Sequence, residues 1–405
     1  MSAPDVAVVG GGVIGLSIAW RCAQRGLRVT VVDPTPAGTA DAPATPGAAR
    51  GSAAGPAGAA AGAAWAAEHG VASGVSAGML APVTEAHFGE EPLLRLALAA
   101  AERWPAFAEE LTAASGAADG PASTGGDTSS RAAGDVLGYR TDGTVLVAYT
   151  EDDLREVQRL CRFYRTLGLP GEPLTGHEAR QLVPLLAPRI RGGMYAAGDH
   201  QVDPRRLTAA LRRAAARAGV HVDRRRVTDL AELDAEQVVL AAGAWSSQLA
   251  DLPVRPVKGQ ILRLRTAEPA FAVNVRALST NRSVYLVPRA DGEIVVGATV
   301  EEQGYDVTVT AGGVHDLLRA AIDVLPETAE YELVEARAGL RPGTPDNAPL
   351  LGRLADRVVA ATGHYRQGIL LTPVTADLVT QLLVSGETPD QLKPFDPLRF
   401  REAAR

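Results

Sequence analysis

The first 33 residues constrain this chain more than any other stretch. DVAVV at 5–9 is a short, β-branched run suited to a buried parallel strand. Gly10, Gly12 and Gly15 follow in G-x-G-x-x-G spacing. A helix then runs from Val13 to Arg25 and stops at Gly26, and a second strand, RVTVVD, ends on Asp33. Each part has a physical task. Gly10 permits a tight turn, Gly12 lets a pyrophosphate approach the backbone, and Gly15 lets helix and strand pack closely. The helix N-terminus offers free N–H groups to phosphate, and Asp33 stands where a carboxylate can accept from a ribose diol. Glycine spacing alone is weak evidence. Set in strand, helix, strand and acid, it specifies a dinucleotide site, with FAD and NAD both still open.

At 405 residues the chain is long enough for two domains or one large α/β unit, and 46% apolar content allows a full core. A net charge of −7 gives no basic footprint for nucleic acid or an anionic membrane. All but two of the 40 basic residues are arginines, the lysines being Lys258 and Lys393. Cys22 and Cys161 both fall on expected helices and make no disulfide framework or metal spacing, so a reducing cytoplasm and no metal are expected. The N-terminus lacks a basic leader, and no run of about 18 apolar residues suggests a membrane span.

Residues 35–72 and 112–134 are dominated by alanine, glycine, proline, serine and threonine. Neither carries enough bulk to offset its ordering entropy, so a disordered and a flexible insertion are expected there. A helix starts near Pro92 and is expected to break or bend at Pro105. Thr150 caps a helix with an apolar stripe that includes Cys161, and Asp203-Pro204 starts another, ended by Gly219. From Val254 the pattern becomes short antiparallel strands, VKGQILRLR, SVYLVPR and EIVVGATV, the last two joined at Asp291-Gly292. A second strand-to-helix glycine junction, VVAATG, comes more than 300 residues after the first. The order implies a nucleotide domain that opens the chain, is interrupted, and is completed at the end. A contiguous NAD domain does not look like this, and the interleaving favours FAD.

One arginine, Arg341, lies in AGLRPGTPD, crowded by proline and glycine. Taken alone it reads as a solvated turn. Placed between the two domains, it becomes a cation held at their junction. Tyr285 lies on a strand where Ser283, Tyr285 and Val287 share one face, so its hydroxyl can point into the cleft. Taken alone it too has a plainer reading, cross-strand packing.

These residues resemble the D-amino-acid oxidase superfamily of FAD-dependent oxidoreductases, and within it the glycine oxidases of bacterial thiamine biosynthesis. The match rests on VVGGGVIGLSIAW, SAGMLAPVTE, GDHQVDPRRL, VVLAAGAWS, VKGQILRL, YLVPR, VVGAT, AGLRPGTPDNAPLLG and GHYRQGILL, and covers nearly the whole chain outside the two insertions. AGLRPGTPD with GHYRQGILL is the most specific pair. The resemblance implies an α/β (α+β overall) fold, a split Rossmann-like FAD-binding domain (1–82, 201–250 and 335–405) interleaved with an antiparallel-sheet substrate domain (83–200 and 251–334). It implies non-covalent FAD held by Gly10, Gly12, Val13, Ile14, Gly15, Asp33 and Pro34 at the ADP end. Ala72, Ser73, Ala77, Gly78 and Met79 would border the flavin and its phosphates, and Val227 would meet the adenine. His364, Tyr365, Arg366, Gln367, Gly368, Ile369 and Leu370 would wrap the ring. Arg341 would bind a substrate carboxylate, with Tyr285 donating to it and Arg366 alongside. Relatives join the Asp33 strand to the SAGM segment through a few residues, where this chain has roughly forty.

The implied reaction converts glycine and oxygen to an imine, then glyoxylate, with hydrogen peroxide, and hand-over to a thiazole synthase. Sarcosine or a small D-amino acid, and a dehydrogenase in place of an oxidase, are the alternatives. A homo-oligomer is implied only by analogy.

Overall fold

The computed structural model describes residues 3–35, 70–116, 133–134, 136–268, 271–278 and 283–402. Two sheets organise them. The first has six strands in the order Leu350–Ala355, Val358–Thr362, Gln237–Leu240, Val6–Val9, Val29–Val32 and His221–Asp223. Val6–Val9 pairs in parallel with Val29–Val32 on one side and Gln237–Leu240 on the other. All four of its residues are buried, which is why the run shows no polar alternation. Leu350–Ala355 joins at the edge as an antiparallel hairpin. The central strand therefore takes one neighbour from directly after it in the sequence and the other from far along the chain.

The second sheet has eight strands, from Glu332–Gly343 through Arg255–Arg265, Glu293–Gly297, Val284–Pro288, Asn274–Leu278, Thr144–Ala148 and Gly192–Ala196 to Glu172–Thr175. It is antiparallel except where Asn274–Leu278 lies parallel to Thr144–Ala148. Glu332–Gly343 pairs along the full length of Arg255–Arg265, with one register shift near Arg263. The strand carrying Arg341 thus belongs wholly to this sheet. The expected domain boundary at 335 falls inside this strand.

Helices cover the first sheet. Val13–Gln24 buries Leu16, Ile18, Ala19 and Trp20 in a core shared with Pro204–Arg217 and Thr372–Ser385. Glu91–Ala114 joins that core through Trp104, Phe107 and Leu111. It runs unbroken through Pro105, contrary to the expected interruption. Proline removes one backbone donor, and the buried residues on both sides of it keep the helix continuous. The Trp104 indole donates to the Leu370 carbonyl at 2.8 Å, tying this helix to the far end of the chain. Asp203 caps the helix that starts at Pro204, and Thr150 forms a reciprocal capping box with Asp153.

Both expected insertions lie mainly outside the described residues, at 36–69 and 117–132. Their margins are ordered. Thr112 to Ala114 complete a helix. Val71 bridges Leu340, and the Gly70 carbonyl accepts from Leu340 N at 2.9 Å. Among the described residues no helix is long and apolar enough to cross a membrane.

Candidate active site

A cavity of about 1000 Å³ runs between the sheets. At one end it is walled by Gly10, Gly12, Val13, Ile14, Asp33, Pro34 and Val227. Gly10 has φ +115, and a Cβ there would overlap the Ala241 carbonyl. Gly15 does not line the cavity. A Cβ on it would run into the Gly10 carbonyl, so its task is helix–strand approach. The first helix is capped by Gly12 with no side-chain hydrogen bond. Its Val13 N–H instead donates to the Ser73 hydroxyl at 3.2 Å, an acceptor a phosphate oxygen can replace. Asp33 accepts from Gly11 N at 2.5 Å and from Thr35 N at 2.9 Å. A glycine turn, a helix terminus whose N–H a phosphate oxygen can take over from Ser73, and a carboxylate beyond them fit the ADP part of FAD.

Ala72, Ser73, Ala77, Gly78 and Met79 wall the middle of the cavity. The buried Arg289 of the YLVPR motif holds this stretch, donating to the Ala77 carbonyl at 2.5 Å and to Gln201 at 2.7 Å. Opposite lie His364, Tyr365, Arg366, Gly368 and Ile369. Gln367 and Leu370 stand behind that wall: the Gln367 carbonyl accepts from Leu371 N, and the Leu370 carbonyl accepts from Trp104. His364 is 3% exposed, and its Nε2 shares a 3.1 Å hydrogen bond with Thr375. Burial pulls its imidazole down to about 3, so it is neutral at working pH.

Tyr285 and Arg341 meet at the other end. Two glycines make room for them. A Cβ at Gly259 would overlap the Arg341 guanidinium, and one at Gly297 would overlap the Tyr285 ring and hydroxyl. Arg341 Nη1 donates to the carbonyls of Thr299 at 3.1 Å and Lys258 at 3.4 Å. Among the described residues Arg341 makes no ion pair, so a guanidinium facing the cavity is held by neutral acceptors alone. Burial raises the Tyr285 hydroxyl above its ordinary value while Arg341 beside it pulls the other way; the phenol stays protonated and can donate. Arg366 is exposed at the rim, stacked on Tyr365 at 4.9 Å.

The sequence reading missed one wall. Arg276 is the cross-strand partner of Tyr285 and donates to the Thr84 carbonyl at 2.6 Å, with Glu85 at 3.7 Å. Thr84 is held by Asp199, which is fully buried and accepts from Val83 N, Thr84 N and the Thr84 hydroxyl. Beyond them the cavity reaches Leu146, Leu160 and Tyr164. Strand alternation could have placed Arg276 opposite Tyr285, but register across sequence-distant strands is not readable from one chain.

A split dinucleotide-binding domain feeding a chamber in which the Arg341 guanidinium is held by neutral acceptors defines a flavin oxidoreductase acting on a small anion. Residues 5–382 match the family model described as DAO, FAD dependent oxidoreductase, and the chain belongs to that family. It is 33% identical to glycine oxidase from Geobacillus kaustophilus over 98% of this chain and 97% of that protein. It is 31% identical to the bifunctional protein ThiO/ThiG of Trichormus variabilis over 99% of this chain and 56% of that protein. The crystal structure of the Geobacillus kaustophilus glycine oxidase superposes with a TM-score of 0.81, covering 98% of this chain and 99% of that one. Neither Cys22 nor Cys161 lines the cavity.

Proposed function

We propose that this enzyme oxidises glycine to its imine with FAD, oxygen being the final oxidant and hydrogen peroxide a product. FAD supplies a two-electron acceptor when bound. The chain's own residues supply position and charge. The Arg341 fork takes the substrate carboxylate, and the Tyr285 phenol donates to it. This fixes the α-carbon so that its hydrogen leaves with the bonding electrons while the amine lone pair closes the C=N bond. The remaining N–H proton goes to solvent. His364, neutral and tied to Thr375, is not needed as a base. The imine then hydrolyses to glyoxylate and ammonia or passes to a thiazole synthase, a link that relatives combining ThiO and ThiG in one protein support.

The observation that carries this reading is Arg341, a cavity-lining cation with no carboxylate partner among the described residues. A second reading, sarcosine or a small D-amino acid, is favoured by the space beyond Tyr285 toward Leu146 and Leu160. Anaerobic addition of glycine, sarcosine or D-alanine to the purified yellow protein separates them, because the true substrate bleaches the flavin spectrum fastest. Arg341→Ala should lower kcat/KM for glycine by roughly ten- to 150-fold, the worth of a charge-assisted hydrogen bond, with flavin content unchanged. An Arg341→Ala enzyme with parental kcat/KM would sink the assignment.

A further inference from the structure

Lys258 is one of two lysines in a chain that otherwise uses arginine, and its side chain is 1% exposed. Its Nζ lies 2.7 Å from Asp306 and 3.5 Å from Glu301. Its backbone pairs in both directions with Glu301, each N–H donating to the other's carbonyl at 2.9 Å. The same Lys258 carbonyl accepts from Arg341. Thr299 then joins the two charged groups: its carbonyl accepts from Arg341 and its hydroxyl donates to Glu301. Arg341 and the Glu301 carboxylate therefore stand on two sides of one threonine. Gln260 steadies the arrangement, donating its backbone N–H to the Thr299 hydroxyl at 2.8 Å and its side-chain Nε2 to Glu301 at 2.8 Å.

We propose that Lys258 is a positioning residue for substrate binding: its ammonium holds Glu301 on the far side of Thr299, so that the Arg341 guanidinium keeps its charge and its direction for the substrate carboxylate. Burial would raise the Glu301 carboxyl, but hydrogen bonds from Thr299 and Gln260 and the charge of Lys258 outweigh it and keep the group ionised. An ionised carboxylate one residue from Arg341 is a competitor for that arginine unless another cation occupies it. Lysine suits the task, since a compact ammonium with three donors fits a closed site where a planar guanidinium would not. Asp306, nearly half exposed, anchors the ammonium from outside and adds little to the competition.

The inference rests on the carboxylate-binding role of Arg341. Two measurements on flavin-loaded enzyme test it: KM for glycine, and the Kd of acetate from perturbation of the flavin absorbance, which needs no turnover. Lys258→Met should raise both by about tenfold, with kcat within about threefold and flavin stoichiometry intact, as expected when a nearby opposite charge captures part of an ion pair. The double variant Lys258→Met/Glu301→Gln should bring both back to within about threefold of the parent, because the competitor leaves with its guard. A packing role for the lysine would not be repaired by neutralising Glu301. The proposal is overturned if Lys258→Met leaves both values unchanged, if the double variant binds as poorly as the single, or if neither folds with flavin. Arg341→Ala separates the two levels: parental acetate and glycine binding there removes the carboxylate reading itself, whereas a large loss there with a silent Lys258→Met removes only this inference.

Discussion

Tyr285 and His364 both line the cavity with a polar atom, and burial fixes their protonation in opposite senses. Tyr285→Phe removes one neutral donor and leaves Arg341 in place. It should cost about 1 kcal/mol of carboxylate binding, or roughly fivefold in KM, much less than Arg341→Ala. Steady-state kinetics with glycine on both variants checks the order. His364 has a different signature. The unfolded imidazole takes a proton near 6.5, while the folded one stays neutral down to about 3. Its stabilising contribution is complete above 6.5 and declines as pH falls, at about 1.4 kcal/mol per pH unit. Asp199 runs the other way. Burial pushes its carboxyl up to about 6 from 3.8, so between those values the folded state keeps a proton that the unfolded chain has shed. The two slopes oppose each other in the native protein, and the test is a difference. Relative to the parent, His364→Gln should gain about 2 kcal/mol between pH 7 and pH 5, read from urea unfolding at each pH. A constant difference would show that His364 titrates normally.

Among elements, the opening strand–helix–strand unit was legible almost residue by residue, because each glycine answers a local steric demand. The substrate end was legible only as a motif. AGLRPGTPD marked Arg341 as held in place, but not by what. The structure shows why: its space comes from Gly259 and its acceptors from Lys258, on the neighbouring strand, and from Thr299, just past the end of Glu293–Gly297. Gly259→Ala should therefore displace the fork, raising KM for glycine by roughly tenfold while flavin remains bound. Gly15→Ala should do the reverse damage, since its methyl would meet the Gly10 carbonyl at the nucleotide end. Flavin content after purification distinguishes them: near one per chain for the first, near zero for the second. The helix that could have broken at Pro105 runs on for the same reason that Arg276 was missed. Tertiary burial decides both, and local sequence does not report it.

For the molecule as a whole, the interleaved order of motifs was enough to give the split fold, and composition marked two low-complexity segments that lie mainly outside the described residues. Composition did not show where they stop. Gly70 and Val71 read as part of the first segment, yet they pair with Leu340, next to Arg341. Deleting residues 38–68 should leave flavin content and turnover close to the parent. Extending the deletion through Ala72 should raise KM for glycine by several-fold, because a backbone hydrogen bond beside Arg341 and the Ser73 approach are then disturbed. Equal behaviour of the two deletions would show that the Gly70–Leu340 contact is incidental.

The position of Val6–Val9 between Val29–Val32 and Gln237–Leu240 has a consequence for synthesis. One flank of this first strand is made almost at once. The other does not leave the ribosome until more than 220 residues later, a delay on the order of tens of seconds at typical elongation rates. Throughout that interval an apolar strand edge waits without its neighbour, and a nascent chain in that state is open to wrong pairing and to chaperone capture. The nucleotide half of this enzyme is therefore begun before the substrate half and is among the last parts to be finished as a structure.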